Sequence, residues 1–240
     1  MIDEMDAHQE MRAVYERLAK RTITNFQKRG LHAEYVPDRK EALAKMLEMI
    51  PLGATIGRGE SVTLNQVGIC AALRERGQND IFNPVLRDDD GNPLVTGSEK
   101  YEVSRKALLA DVFLSGTNAI TIDGKLVNTD GAGNRVAAMI YGPKKVIIVA
   151  GGNKIVKNVD DAMKRIREVA APLTAHHHYL KHHLDLQNVP CFQAGTCVDC
   201  VQPIRMCAYT VIIEGENAMS TVTDYLPRMH IIIVGEQLGL

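Results

Sequence analysis

Four cysteines toward the C-terminal end have the spacing of a ligand set: Cys191-x5-Cys197-x2-Cys200-x6-Cys207. A Cys-x2-Cys pair lets two sulfurs converge on one ion, and four thiolates suit either tetrahedral zinc or an iron–sulfur cluster. The spacing is neither that of the bacterial ferredoxin run nor that of a zinc ribbon, so both metals stay open. Two metal-free readings stand beside them: a loop of reduced thiols, and a redox pair made by Cys197 and Cys200. Cys70, alone on an apolar helix face, reads as core. Just upstream of the cysteines, Thr174-Ala-His-His-His-Tyr-Leu-Lys-His-His places His178 and His182 one helical turn apart. That spacing can bind zinc, but the acidic residue of an HExxH set is missing, and an exposed or interface face is expected there.

The other concentration of chemistry is residues 111–157, on which the rest of the chain is organised. Asn118, Asp123, Asn128, Asp130, Asn134 and Arg135 are interleaved with Gly116, Gly124, Gly131 and Gly133. Glycines let a backbone approach a ligand closely, the amides and Arg135 supply donors, and the aspartates supply bases or cation ligands. A hairpin whose Asn and Asp merely make turns is the plainer reading, but a hairpin needs only one such turn. In an enzyme reading Asp123 or Asp130 is the general base, Arg135 clamps a carboxylate, and Lys154 or Arg58 stabilises developing negative charge. No Ser–His–Asp set, catalytic carboxylate pair or cofactor fingerprint accompanies them, so catalysis itself stays open.

A third feature is Gly57-Arg58-Gly59-Glu60-Ser61-Val62-Thr63, which follows a short apolar run and opens an apolar-periodic segment. Strand, Gly-rich turn with hydroxyls, then helix is the anatomy of an anion site. It lacks the GK[ST] ending of a Walker A loop and the GxGxxG fingerprint, and Ser61 could equally serve as a helix cap. The run Asp88-Asp89-Asp90-Gly91 lacks calcium-loop spacing and reads as a solvated turn.

These residues need elements to hold them. Helical periodicity runs over residues 5–29, 39–49, 64–76, 98–110 and 158–170, the fourth with Val103, Leu108 and Leu109 inward. Short β-branched runs at 31–36, 54–57, 80–85, 112–114, 146–149, 208–213 and 231–234 read as strands. Their alternation predicts a three-layer α/β fold with a largely parallel sheet covered on both faces. Ligands then sit at the carboxyl ends of the strands, which puts the 57–63 loop, the central stretch and Asn153-Lys154 along one rim.

The 240 residues, 45% hydrophobic and 24% charged, can bury one substantial core, with no linker, repeat or low-complexity segment to divide it. A net charge of −1 gives no footprint for nucleic acid or an anionic membrane. No apolar run reaches the ~18–20 residues of a membrane span. The acidic, amphipathic N-terminus is unlike a secretion signal, so a cytoplasmic location with reduced thiols is expected.

The segment SGTNAITIDGKLVNTDGAGNRVAAMIYGPKKVIIVAGGNKIV, together with GRGESVTL before it, the cysteine segment and the final VGEQLG, resembles the LUD-domain family of lactate-utilisation proteins. It is most similar to the stand-alone branch found in anaerobic bacteria, and the likeness runs from about Met11 to the C-terminus. The resemblance implies one domain over residues 1–240 with a cysteine-bearing insertion at about 188–208. It implies the fold of ribose-phosphate isomerases, sugar-phosphate deaminases and CoA transferases, whose first strand–helix loop binds phosphate. Gly57, Gly59, Ser61 and Thr63 fall at the matching place. Arg58 and Glu60 depart from the small residues typical there, so the bound group need not be phosphate. The function implied is organic-acid metabolism, with a small anionic metabolite bound by the 57–63 loop, Asn118, Asn128, Asn134 and Lys154. The anaerobic redox setting of the relatives puts an iron–sulfur cluster ahead of zinc at the four cysteines. Rival readings are a non-catalytic electron-transfer or assembly subunit and a metabolite sensor. The partners expected are the metabolite and a redox protein or second copy of the chain, with neither nucleic acid nor membrane.

Overall fold

A computed structural model of the chain describes residues 7–88, 92–217 and 227–240. Asp89, Asp90 and Gly91 of the aspartate run lie outside them. Asp88, which precedes them, accepts from the Asn92 backbone N–H at 2.7 Å.

In chain order the first half comprises α1 (His8–Lys28), β1 (His32–Val36), α2 (Arg39–Met49), β2 (Ile56–Arg58), α3 (Val62–Val67), α4 (Ile69–Arg76), β3 (Ile81–Phe82) and α5 (Gly97–Ala107). There follow β4 (Val112–Gly116), β5 (Ala119–Thr121), β6 (Leu126–Asp130), α6 (Asn134–Ile140), β7 (Lys145–Gly151) and β8 (Ile155–Val156). The last elements are α7 (Val159–Arg165), α8 (Ala171–His182), α9 (Pro190–Ala194), β9 (Tyr209–Ile213) and β10 (Met229–Val234).

Six strands form one sheet in the order β1-β10-β7-β4-β2-β3, and every neighbouring pair is parallel. Side chains alternate across a strand, and β7 shows what that does. Val146, Ile148 and Ala150 pack with Phe26 of α1 and Met139 of α6 on one face. Ile147 and Val149 pack with Met46 of α2 and Leu64 of α3 on the other. Both faces are buried, which is why these strands read as unbroken apolar runs. Each large apolar side chain so buried contributes about 1.5–3 kcal/mol. The three-layer α/β fold read from the sequence is the fold observed.

The details differ in four places. The helix expected over 64–76 is two helices, because Gly68 takes φ +82°, a left-handed conformation that ends α3 and starts α4. Strand pairing over 80–85 is confined to two residues, Ile81 and Phe82. Leu109, expected inward, is 84% exposed, since α5 ends at Ala107 and releases it from the buried stripe. The central stretch does contain a hairpin: β5 and β6 pair antiparallel within a second sheet of order β8-β5-β6-β9. Beyond α7 the helical path widens into a π turn, Ile166–Ala170, that leads into α8. The cysteine segment then packs back on α8 through Ala175, Val189, Cys191 and Met206. No helix among the described residues is long and apolar enough to cross a membrane.

Candidate functional site

The carboxyl ends of β2, β4 and β7 border a cavity of about 1260 Å³. Of the residues singled out in the sequence, Glu60, Ser61, Thr63, Asn118, Asp130, Asn134, Arg135 and Lys154 line it. Ser61 also caps α3, its Oγ accepting from the Leu64 backbone N–H at 3.3 Å. The loop lies close against its surroundings: a Cβ at Gly59 would stand 2.8 Å from Arg135 Cγ, and one at Gly57 would stand 2.6 Å from the Ala107 carbonyl oxygen. These glycines admit neighbouring groups and do not line the cavity themselves.

Arg58 turns away from the cavity. Its guanidinium donates to Cys70 Sγ at 2.9 Å and Asn65 Oδ1 at 3.2 Å, tying the loop to α3 and α4. Cys70 is thus an acceptor for a buried arginine, a role beyond apolar filling. Asp123 sits in the turn between β5 and β6, outside the cavity lining, half-exposed and paired with Arg29 and Lys125. The hairpin's own geometry carries that turn to the end of β5, remote from the β4 rim. Asn128 stands behind the lining, buried, where its Oδ1 accepts from Arg135 Nη1 at 2.7 Å.

Arg135 is at the centre of this second layer. Nη1 donates to Asn128, and Nη2 to Asn118 Oδ1 at 3.0 Å and to the Thr129 carbonyl at 2.8 Å. Its Nε lies 3.7 Å from Asp130. That carboxylate in turn accepts from the backbone N–H groups of Arg135 and Val136, fixing the first turn of α6. The guanidinium fork is committed to protein acceptors, so its contribution to a ligand is charge and scaffolding.

Lys154 is different. It ends the 3₁₀ turn after β7, is only 4% exposed, and donates to Thr63 Oγ1 at 3.2 Å and the Thr117 carbonyl at 2.9 Å. Among the described residues no carboxylate pairs with its ammonium. Burial, reinforced by the charges of Arg165 and Arg135, pulls its pKa down to about 7. Arg165, from α7, reaches the Asn118 carbonyl at 2.7 Å. Lysine and two arginines therefore gather around the end of β4 with Asp130 as the nearby carboxylate. Arg165 carried no sequence signal beyond being one more basic residue in a helix.

His177 and His178 of α8 also line the cavity. The exposed face expected for α8 is not what the fold makes: His177, His178 and His182 turn inward onto Glu60 of the 57–63 loop. Their Nε2 atoms lie 3.7, 3.5 and 3.2 Å from its carboxylate oxygens. Burial keeps His178 and His182 neutral, with pKa values of about 4 and about 3, and pushes the Glu60 carboxyl upward. The carboxylate missing from the local motif comes from a residue more than a hundred positions earlier, which no local pattern could reveal.

The four cysteines are free and near enough to perturb one another. Burial raises the pKa of Cys191 and Cys207, and the thiols of Cys200 and Cys197 add to both shifts. The Asp199 backbone N–H donates to Cys197 Sγ at 3.3 Å. Among the described residues, the set of three ligand atoms lying within 4.8 Å of one another is Glu60, His177 and His182, and the cysteines form no such set. A zinc–thiolate tetrahedron with bonds of ~2.3 Å would need sulfurs ~3.8 Å apart.

Comparison with known proteins gives a structural likeness to a DUF162 family protein from Deinococcus radiodurans, at 15% identity and a TM-score of 0.46, covering 93% of this chain and 97% of that one. A second is to eIF2B delta from Chaetomium thermophilum, at 20% identity and a TM-score of 0.32, covering 49% of this chain and 48% of that one. No curated protein matches the chain. Residues 19–188, the greater part of the chain and all of the cavity's β2, β4 and β7 rim, match the LUD domain, and the protein belongs to the LUD-domain family.

Proposed function

We propose that the protein binds a small organic acid of the lactate class in the rim cavity, with Lys154 as the group that meets its carboxylate. Family membership supports a function related to lactate utilisation in the broad sense. The observation that carries the finer reading is the buried, carboxylate-free Lys154, whose pKa is lowered by burial and by the charges of the part-buried Arg165 and Arg135. A cationic group taken out of water without a counter-ion is costly, and an anion in the cavity relieves that cost. Binding would raise the Lys154 pKa, so the ligand arrives with partial proton uptake. Ser61, Asn134 and Asp130 offer polar contacts along the same wall, while Val85, Leu108 and Ile140 give an apolar side for a longer carbon chain. The test is recovery of the bound metabolite: rapid gel filtration of the purified protein, denaturation, and mass spectrometry of what is released. A carboxylic acid retained by wild type and lost from Lys154→Met is expected; no retained acid in either protein would count against the reading.

The cysteines favour a second reading, that of an electron-transfer subunit. Cys191, Cys197, Cys200 and Cys207 would hold an iron–sulfur cluster, which supplies one-electron chemistry when bound. The chain's own part is to bury Cys191 against α8 and to give Cys197 a backbone hydrogen bond that favours the reduced cluster. Anaerobic preparation followed by iron and sulfide analysis tests it: about stoichiometric values for both are expected, and their absence with the thiols all titratable would remove this reading.

A further inference from the structure

We infer that Glu60, His177 and His182 form a mononuclear site for a zinc-type divalent cation at the edge of the cavity, whose lining includes Glu60 and His177. The inference stands on the histidine cluster and does not depend on what Lys154 binds.

Three observations converge. The ligand atoms are of the right kind and number: two imidazole nitrogens and one carboxylate oxygen, all within 4.8 Å of one another. Three protein ligands with an open fourth position is the donor set of catalytic zinc. The spacing fits as well. Bonds of about 2.0–2.1 Å in a tetrahedron separate neighbouring donors by ~3.3 Å; Glu60 Oε1 lies 3.2 Å from His182 Nε2 and 3.7 Å from His177 Nε2. Little movement is needed to seat an ion.

The second observation is an orphan. Glu60 Oε1 is buried with no hydrogen-bond partner among the described residues, although an imidazole nitrogen stands at 3.2 Å. The His182 ring is not aimed along a hydrogen bond to that oxygen. A buried carboxylate oxygen left unpaired is costly, and a cation placed between the two atoms satisfies both.

Third, His178 supplies the support that metal-bound histidines require. Its Nδ1 lies 3.1 Å from His182 Nδ1, so one of the two must donate to the other. If His182 donates through Nδ1–H, its Nε2 keeps the lone pair that a metal needs. His178 then carries its proton on Nε2, directed toward Glu60 Oε2 at 3.5 Å. One tautomer assignment thus orients both a histidine ligand and the carboxylate ligand. The charges of Lys100 and Arg87 reach Glu60 and oppose a cation, so the ion must be held by direct ligation and not by general negative potential. The small number of anionic ligands favours zinc over calcium or magnesium, which take more oxygens.

The test is cobalt(II) titration of the full-length, metal-free protein, since cobalt replaces zinc and reports its ligands. One equivalent bound with visible d–d bands, and without thiolate-to-cobalt charge transfer, is expected in a Cys197→Ser/Cys200→Ser background. Affinity should fall at least 100-fold in Glu60→Gln and in His182→Ala, fall about 10–100-fold in His178→Ala, and stay unchanged in Lys154→Met. Binding that is unaffected in Glu60→Gln and His182→Ala, or cobalt seen only through thiolate bands in wild type, would overturn the site. Should the variants fail to fold, zinc-edge anomalous diffraction from wild-type crystals soaked in zinc decides: a peak between Glu60, His177 and His182 supports the inference, and a map without one contradicts it.

Discussion

At the scale of residues, two basic groups with similar surroundings have opposite roles, and the difference is who accepts their protons. Arg135 is surrounded by acceptors from β4, β6 and the loop between β4 and β5. Arg135→Ala removes three charge-assisted hydrogen bonds at once, to Asn128 Oδ1, Asn118 Oδ1 and the Thr129 carbonyl, and a loss of about 3 kcal/mol or more in unfolding free energy is expected from denaturant titration. Lys154 has two neutral acceptors and no carboxylate, and its charge is a liability to the fold. Lys154→Met is therefore expected to raise the melting temperature while weakening carboxylate binding by about tenfold or more, the worth of a charge-assisted hydrogen bond. The sequence put both residues at the rim but could not rank them, because the ranking depends on acceptors that meet only when β4, β6 and α6 are assembled. Asp123 was indistinguishable from Asp130 in the sequence for the same reason: one faces a hairpin turn and the other the first turn of α6.

At the scale of elements, what was legible followed from periodicity and what was hidden followed from special backbone conformations. The strands β4, β7 and β10 and the helices α1 and α2 stand where their apolar spacing put them. The break between α3 and α4 depends on one residue, Gly68, whose φ of +82° turns the chain between them. There is room for a methyl group there, so Gly68→Ala tests conformation alone. A loss of about 1 kcal/mol is expected in equilibrium unfolding, with an unchanged m-value. The π turn before α8 was likewise unreadable, and so was the direction of the histidine face. A helix dense in histidine reads as solvated when nothing shows the carboxylate it will meet.

At the scale of the whole molecule, a layered α/β fold brings distant segments to one rim, where Lys154 is buried near Arg165 and Arg135 without a carboxylate partner of its own among the described residues. This has a consequence for stability. Lys154 has a pKa of about 7 in the folded protein against an ordinary 10.5, so between those values the unfolded chain binds more protons. Its contribution to stability is therefore unfavourable and constant below about pH 7, and it recedes as pH rises toward 10.5. The melting-temperature advantage of Lys154→Met over wild type should shrink across that window. The measurement that reaches the central claim most directly is calorimetric titration of wild type near pH 7 with L-lactate, D-lactate, pyruvate and glycolate, each in buffers of different ionisation enthalpy. At least one acid is expected to bind with unit stoichiometry and to take up a fraction of a proton, and both the affinity and the uptake should collapse in Lys154→Met. Binding without proton uptake that persists in Lys154→Met, or no binding by any of the four acids, would contradict the account.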